Sequence, residues 1–328
     1  MTEKRLFKEW EVSAFDRVEN EWTTTMNHAY EVVPEVTNDM FVSQAPPVRI
    51  TPSRRKPAST DFDHTIATIG DIHFPFQNQR RLDLSSTGLR ILEPSAIDLL
   101  GDNLDNPNYS RFGTRREWAD SSQRGIDELA EYLAQLRSDH PDTTIRWHQG
   151  NHDIRQELRM REYNDDLLGI KRAGESQSAM SLQFLLRLDE LGVELIEGYP
   201  SARVIVNDKN DNPQLEIHHG HVTSGNLAAL KVIQSAFLSF NTGHTHNLGV
   251  VSKTFWVGDE EHTIYGAESG TYADQNKVPS GKYAPNTNVR MNWQSGIIDW
   301  VVDENGAIPG ISPITDHAIT VRGKQWKS

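Results

Sequence analysis

At 328 residues the chain is long enough for one large α/β domain, or for one such domain with a small appendage. It contains no cysteine, which excludes disulfides, thiolate metal ligands and a cysteine nucleophile and leaves oxygen and imidazole as the strong ligands available. Its 46 acids against 33 bases, a formal charge of −13, argue against coating of duplex nucleic acid through a broadly basic surface, and no apolar stretch approaches the roughly 18 residues that a membrane span requires.

The N-terminal residues Met1 to Trp10 alternate charged and apolar types, without the basic end and apolar run of a secretory signal, so a cytoplasmic location is expected. The segment that follows carries Trp10, Phe15, Trp22, Tyr30 and Phe41, too aromatic for disorder and too short to bury much core alone. A flap, a partner-binding strand and a packed extension all fit it. Pro46, Pro47, Pro52 and Pro57, with Arg54, Arg55 and Lys56 among them, mark residues 44–62 as an extended linker. The expected division is therefore an N-terminal extension and linker over 1–62 and a catalytic domain over 63–328.

From His64 onward, short apolar runs stop at polar clusters: Thr65 to Ile69, Ala96 to Leu100, Thr144 to Trp147, Leu215 to Ile217 and Ala236 to Phe240. They read as buried strands. The clearest helix between them places Ile126, Leu129, Leu133 and Leu136 on one face. Alternating strand and helix predict an α/β sheet, and in such sheets ligands gather beyond the carboxyl ends of the strands.

The polar clusters stand at those ends. The first is Gly70, Asp71, Ile72, His73, whose alternation puts Asp71 and His73 on one side of the chain. The second is Gly101, Asp102, Asn103, Leu104, Asp105, and the third Gly150, Asn151, His152, Asp153. The fourth is His218, His219, Gly220, His221, and the fifth Gly243, His244, Thr245, His246. A nitrogen and oxygen donor set without sulfur suits Mn²⁺, Fe or Zn²⁺, and its histidines disfavour Ca²⁺.

With these motifs the chain resembles the calcineurin-like metallophosphoesterases, whose pattern is D-x-H, G-D-x-x-D, G-N-H-D/E, a lone histidine often in H-G-H, and G-H-x-H. The resemblance spans Thr65 to Asn247 directly, and the fold it implies would also use the strand-like stretches Val250 to Val257, Thr263 to Glu268 and Gly296 to Val302. That fold is α/β, a sandwich of two mixed β-sheets flanked by helices. The resemblance implies that Asp71, His73 and His246 hold one of two divalent metal ions and Asn151, His219 and His244 the other, with Asp102 bridging. His218 and His221 are adjacent candidates for the position given to His219. By the same resemblance His152 donates a proton to the leaving oxygen and Asp105 orients it, the alternative for Asp105 being a loop-capping aspartate.

The family acts on phosphoproteins, nucleotides, cyclic nucleotides and nucleic acids. Asn106 and Asp153 stand where its Ser/Thr protein phosphatases carry arginine and glutamate, and G-N-H-D looks more like the DNA-repair exonuclease and phosphodiesterase branches. Arg111, Arg115, Arg116, Arg124, Arg155, Arg159, Arg161, Lys171 and Arg172, interleaved with Tyr109, Phe112, Trp118 and Tyr163, suit a phosphate-contacting surface. They equally suit exposed helix faces with paired charges. The loop Gly270 to Asn288, with Tyr272, Lys277, Lys282 and Tyr283, is either a border of the site or a surface loop. The expectation is a Mn²⁺-dependent phosphodiesterase acting on DNA, RNA or nucleotides. A phosphomonoesterase acting on a nucleotide or small metabolite, and a catalytically silent binding module, are the alternatives.

Overall fold

The computed structural model describes residues 64–111, 116–222, 228–278 and 291–327, and the backbone of residues 4–16 and 21–32. The chain divides into two compact units, residues 1–44 and 45–328. In the first, β1 (Lys4–Asp16) and β2 (Glu21–Val32) pair as an antiparallel ribbon, with an irregularity between Leu6 and Lys8. The linker expected over 44–62 lies outside the described residues, as do Phe41 and the side chains of Trp10, Phe15, Trp22 and Tyr30.

The second unit opens with β3 (His64–Ile69), followed by α1 (Gln79–Leu92), β4 (Ala96–Leu99), α2 (Ser121–Asp139), β5 (Thr144–His148), α3 (Arg155–Tyr163) and β6 (Val193–Ile196). β3 to β6 run parallel as neighbours because each crossover returns to the same end of the sheet. β7 (Val204–Asn207), β8 (Pro213–Ile217), β9 (Ser239–Thr242), β10 (Leu248–Val257) and β11 (Glu260–Ser269) form a second sheet of order β10-β11-β9-β8-β7. The chain then returns to the first sheet through β12 (Ser295–Asp303), β13 (Gly306–Ile314), β14 (Ala318–Val321) and β15 (Lys324–Lys327), giving the order β15-β14-β13-β12-β3-β4-β5-β6. Both sheets mix parallel and antiparallel pairs, and the architecture is a two-sheet sandwich flanked by helices.

One core layer joins the sheets: Ile66, Ile298, Trp300 and Val302 from the large sheet meet Leu215, Ile217 and Ala267 from the small one. The other lies between the large sheet and its helices, where Leu129, Leu133 and Leu136 of α2 and Leu82 and Leu89 of α1 cover Ala67, Ile97 and Ile145. Each such aliphatic side chain contributes about 1.5–3 kcal/mol by leaving water. α1 starts where the Asn78 side chain accepts the N–H of Arg81, and it stops at Glu93, whose left-handed backbone cannot continue the helix.

The strands expected at Thr65, Ala96, Thr144 and Leu215 are present. The apolar run Ala236 to Phe240 is not one strand: the strand begins at Ser239. Ala236 donates its N–H to the Ile233 carbonyl in a turn, and Phe237 is 77 % exposed. The carboxyl ends of β3, β4 and β5 in one sheet and of β8 and β9 in the other thereby reach a common rim.

Candidate metal centre

Beyond the strands the exit loops continue as a ladder. Asp71 donates its N–H to the Gly101 carbonyl at 3.1 Å, His73 to that of Asp102 at 2.9 Å, and Phe74 to that of Asn103 at 2.8 Å. The small sheet joins at His244, whose N–H donates to Asp71 Oδ2 at 2.9 Å. Asp71, His73, Asp102, His244 and His246 all have φ between 49° and 69°, a left-handed backbone that non-glycine residues avoid. Left-handed backbone at non-glycine residues recurs at functional sites, and here it falls on five residues of the motifs. The motif glycines provide the clearance: a Cβ on Gly150 would lie 2.3 Å from Asp102 Oδ1, and one on Gly243 2.5 Å from Asp71 Oδ2.

Two groups of donors result. Asp71, His73 and His246 converge in the first: His246 Nε2 lies 3.2 Å from Asp71 Oδ1 and 3.1 Å from His73 Nε2. Asp71 Oδ1 is buried and makes no hydrogen bond despite that proximity. His73 Nδ1 is 3.1 Å from Asp105 Oδ1, which places the ring proton there and leaves the Nε2 lone pair facing His246. Two imidazole nitrogens and a buried carboxylate oxygen without a hydrogen bond, converging within reach of one another, are a donor set suited to a cation.

Asp102, His219 and His244 form the second group. The Asn151 amide oxygen lies 2.8 Å from His244 Nδ1 and 3.2 Å from His219 Nε2, and Asp102 Oδ2 lies 3.5 Å from His219 Nε2. His219 Nδ1 donates to the Leu100 carbonyl, so its Nε2 faces inward. His218 instead stands near Glu216 and lines a different cavity with Phe237, and His221 belongs to none of these groups.

Asp71, Asp102 and Asp105 are each at most 2 % exposed. Burial disfavours their charged forms, yet His246 beside Asp71, and His152 with other imidazoles beside Asp102 and Asp105, hold all three carboxyls below the usual range. No lysine or arginine pairs with Asp71 or Asp102 among the described residues. Buried carboxylates without such partners need a counter-charge, and the donor chemistry fits two hard or borderline cations.

His152 stands at the edge of this centre. Its Nδ1 is 2.7 Å from Asp105 Oδ1, and its backbone N–H donates to Asp102 Oδ1 at 2.7 Å. Burial depresses the imidazole pKa, but Asp102 and Asp105 more than offset this and raise it above its ordinary value. On its other side Arg155 donates from Nη2 to His152 Nε2 at 2.8 Å and from Nη1 to the Asp105 carbonyl at 2.8 Å.

Several contributors carry no sequence motif. Trp293 sets its ring 4.3 Å from that of His246, and Tyr199 sets its ring 5.6 Å from that of His219. Tyr272 donates its N–H, and Thr271 its hydroxyl, to the Asp71 carbonyl, so the start of the loop after β11 is a buried support for the site. Lys282, Tyr283, Phe112 and Arg115 lie outside the described residues. Asp153 belongs to neither group of donors. Its carboxylate accepts the N–H groups of Asp102, Leu104 and Gly150 and the Trp147 indole N–H, all within 2.9–3.0 Å. Burial and the Asp102 charge push its carboxyl up to about 6, while the N–H donors of Leu104, Gly150 and Trp147 favour the ionised form.

Among the described residues of the expected basic surface, Arg155 is the one that donates to His152 and Asp105. Arg124 pairs with Asp120 and Glu128, and Arg161 with Glu157, while Arg159 donates to the Tyr109 and Ser110 carbonyls. Trp118 is buried.

No family model matches the chain. It is 26 % identical over 270 residues to the Gene 54 protein of Mycobacterium phage L5, which covers 80 % of this chain and 98 % of that protein. A second Gene 54 protein, from Mycobacterium phage D29, is 26 % identical over 272 residues, with the same coverage. Among solved structures, Vps29 from Cryptosporidium parvum is 13 % identical with a TM-score of 0.31, covering 78 % of this chain and all of that one. The Pseudomonas putida nuclease MPE is 13 % identical with a TM-score of 0.25, covering 75 % of this chain and 87 % of that one.

Proposed function

We propose that the chain is a dinuclear-metal phosphoesterase, and within that class a phosphodiesterase acting on nucleic acid or nucleotides. The observation that carries this reading is the convergence of two donor groups, Asp71, His73 and His246 in one and Asp102, His219 and His244 with Asn151 in the other, with His152 held by Asp105 beside them. Asp71, His73 and His246 would hold one ion, and Asn151, His219 and His244 the other, with Asp102 shared. Mn²⁺ is the proposed metal, and Fe or Zn²⁺ would suit the same donors. Bound there, two such ions would supply a hydroxide nucleophile at neutral pH and neutralise charge on the phosphoryl oxygens.

The chain's own groups perform the rest. Asp105 anchors the Nδ1 proton of His152 and so directs Nε2 toward the leaving oxygen. With Arg155 seated, Nε2 is an acceptor and cannot donate. A substrate phosphate drawing the guanidinium away would release Nε2 to take up a proton from solvent, and the Asp102 and Asp105 carboxylates would favour the imidazolium so formed. The absence of cysteine excludes a thiol intermediate, and the mechanism requires no protein nucleophile.

The test is Mn²⁺-dependent hydrolysis of a bis-aryl phosphodiester beside an aryl phosphomonoester, followed by labelled single- and double-stranded DNA. Diester and DNA cleavage that disappears in Asp102→Ala supports the proposal. Turnover of the monoester alone would replace it with a small-molecule phosphatase, and no turnover of any substrate would leave a binding module.

A further inference from the structure

β11 ends beside the fifth motif. Glu268 stands opposite Thr242 of β9 in the parallel pairing of the two strands, and Thr242 leads directly into the turn Gly243, His244, Thr245, His246. Glu268 is fully buried, at 0 % exposure, and belongs to neither group of donors. Burying a carboxyl is costly unless hydrogen bonds compensate it. Here they converge on one oxygen. Glu268 Oε1 accepts the Thr245 hydroxyl at 2.6 Å and the Ala228 backbone N–H at 3.2 Å, while Oε2 is buried without a hydrogen bond.

Thr245 sits between two candidate ligands that serve different groups, His244 with Asp102 and His219, and His246 with Asp71 and His73. Both flanking histidines have left-handed backbone, at φ of 69° and 64°. Such conformations persist only where surrounding contacts over-determine them. The turn is fastened at its other points. The His244 N–H donates to Asp71 Oδ2 at 2.9 Å, the His246 carbonyl accepts the Gln294 N–H at 3.1 Å, and the Asn247 carbonyl accepts the Gly270 N–H at 2.8 Å. The Thr245 N–H bonds within the turn, to the Gly243 carbonyl at 2.9 Å, so its tether to another element is the hydroxyl bond to Glu268.

Ala228, the second donor, leads into the short helix Ala229–Val232, on the stretch of chain that joins the fourth motif to β9. One carboxyl oxygen thus ties the turn bearing His244 and His246 to the segment that follows His219.

We propose that Glu268 is a positioning residue for both metal ions: by holding Thr245 Oγ1 it sets the turn that presents His244 to one donor group and His246 to the other. The proposal rests on the metal-centre reading of those groups. The role is that of an acceptor, which an amide oxygen supplies as well as a carboxylate does, so loss of the bond and loss of the charge can be separated. Partners that orient metal ligands are worth roughly 10- to 100-fold in metal affinity.

Mn²⁺ titration of the full, EDTA-treated chain by calorimetry reads this without turnover. Thr245→Val, which removes the hydroxyl and keeps the shape, and Glu268→Met should each weaken both equivalents by at least about tenfold. Glu268→Gln should stay within about threefold of wild type, and the Thr245→Val/Glu268→Met double variant should be no weaker than the weaker single variant, because both changes remove one bond. Wild-type affinity in Thr245→Val, even with a lowered Tm, would make the bond merely structural and overturn the proposal. A loss in Glu268→Gln as large as in Glu268→Met would overturn it too, assigning the effect to charge, as would additive losses in the double variant. Thr245→Val leaves the buried carboxyl in place, so a Glu268→Met chain that fails to fold does not shield the proposal. A wild-type chain that takes up neither Mn²⁺ nor Zn²⁺ would sink the metal centre itself, and this proposal with it.

Discussion

Asp102 and His152 stand side by side, with different expected consequences of loss. Asp102 reaches toward His219 with one oxygen and holds the His152 N–H with the other, so Asp102→Ala should empty both metal positions and abolish turnover. His152→Ala should leave about two equivalents of metal bound and lower kcat by roughly 10²–10⁴-fold, the usual range for a general acid. Metal content by mass spectrometry beside kcat separates the cases; undiminished turnover in His152→Ala would remove it from the mechanism. Asp153 should respond differently again. Asn at that position offers one oxygen to four N–H donors and turns an NH₂ toward them, so Asp153→Asn should cost about 3 kcal/mol of stability by denaturant titration. The residues gathered at the rim were all legible as candidates because short motifs placed them at strand ends. Asp153 was legible only as a marker of subtype, since its role depends on backbone N–H groups converging from two loops, which no spacing reveals. Trp293 and Tyr199 reach the histidines from elements that carry no motif at all.

Strand pairing adds a constraint that the motifs do not contain. Asp98 of β4 stands opposite Arg146 of β5, and their side chains form a two-pronged ion pair at 2.6 and 2.7 Å, with His148 Nε2 also 2.7 Å from Asp98. Burial opposes ionisation of Asp98, but Arg146 and then His148 outweigh it and bring the carboxyl down to about 2. A carboxyl depressed in the folded state contributes stability above its unfolded pKa, and that contribution is lost as pH falls through the folded value. The window is therefore about pH 4 to 2, and the contribution is about 2 kcal/mol. Asp98→Asn should be less stable at neutral pH and should show a correspondingly flatter loss of stability across that window. An unchanged slope would assign the acid sensitivity to other carboxylates. β3, β4 and β5 were readable because short, mostly apolar runs, interrupted by a charged residue only at Asp98 in β4 and Arg146 in β5, stop at polar clusters that contain glycine. β13 was not, since Pro309 and Pro313 interrupt it although it lies between β12 and β14. The run from Ala236 misplaced the start of β9 because apolar residues also occupy the turn before it. The same tight exits predict that Gly150→Ala, with its Cβ driven against Asp102, lowers metal affinity at least tenfold in a metal titration.

At the scale of the molecule, every candidate ligand lies in the unit spanning residues 45–328, and the ligands come from both sheets. Folding must therefore bring buried carboxylates from separate elements to one rim, at a desolvation cost that their own hydrogen bonds do not cover. Ions that bind the assembled rim and not the unfolded chain stabilise the fold by RT ln(1 + [L]/Kd), about 2.7 kcal/mol for one site at a hundredfold excess over Kd. For a unit of this size each kcal/mol raises Tm by roughly 2–4 °C. Saturating Mn²⁺ should thus raise the Tm of the EDTA-treated protein by at least about 5 °C, and the same addition to Asp102→Ala should raise it much less. Ca²⁺ at equal concentration should do little, because the converging imidazoles disfavour it. A Tm indifferent to Mn²⁺ in the wild-type chain would mean that imidazolium, not metal, balances Asp71 and Asp102. The stabilisation would then come from His152 and His219, whose pKa values the neighbouring buried carboxylates raise against the effect of burial, and it would fade as pH rises through those raised values.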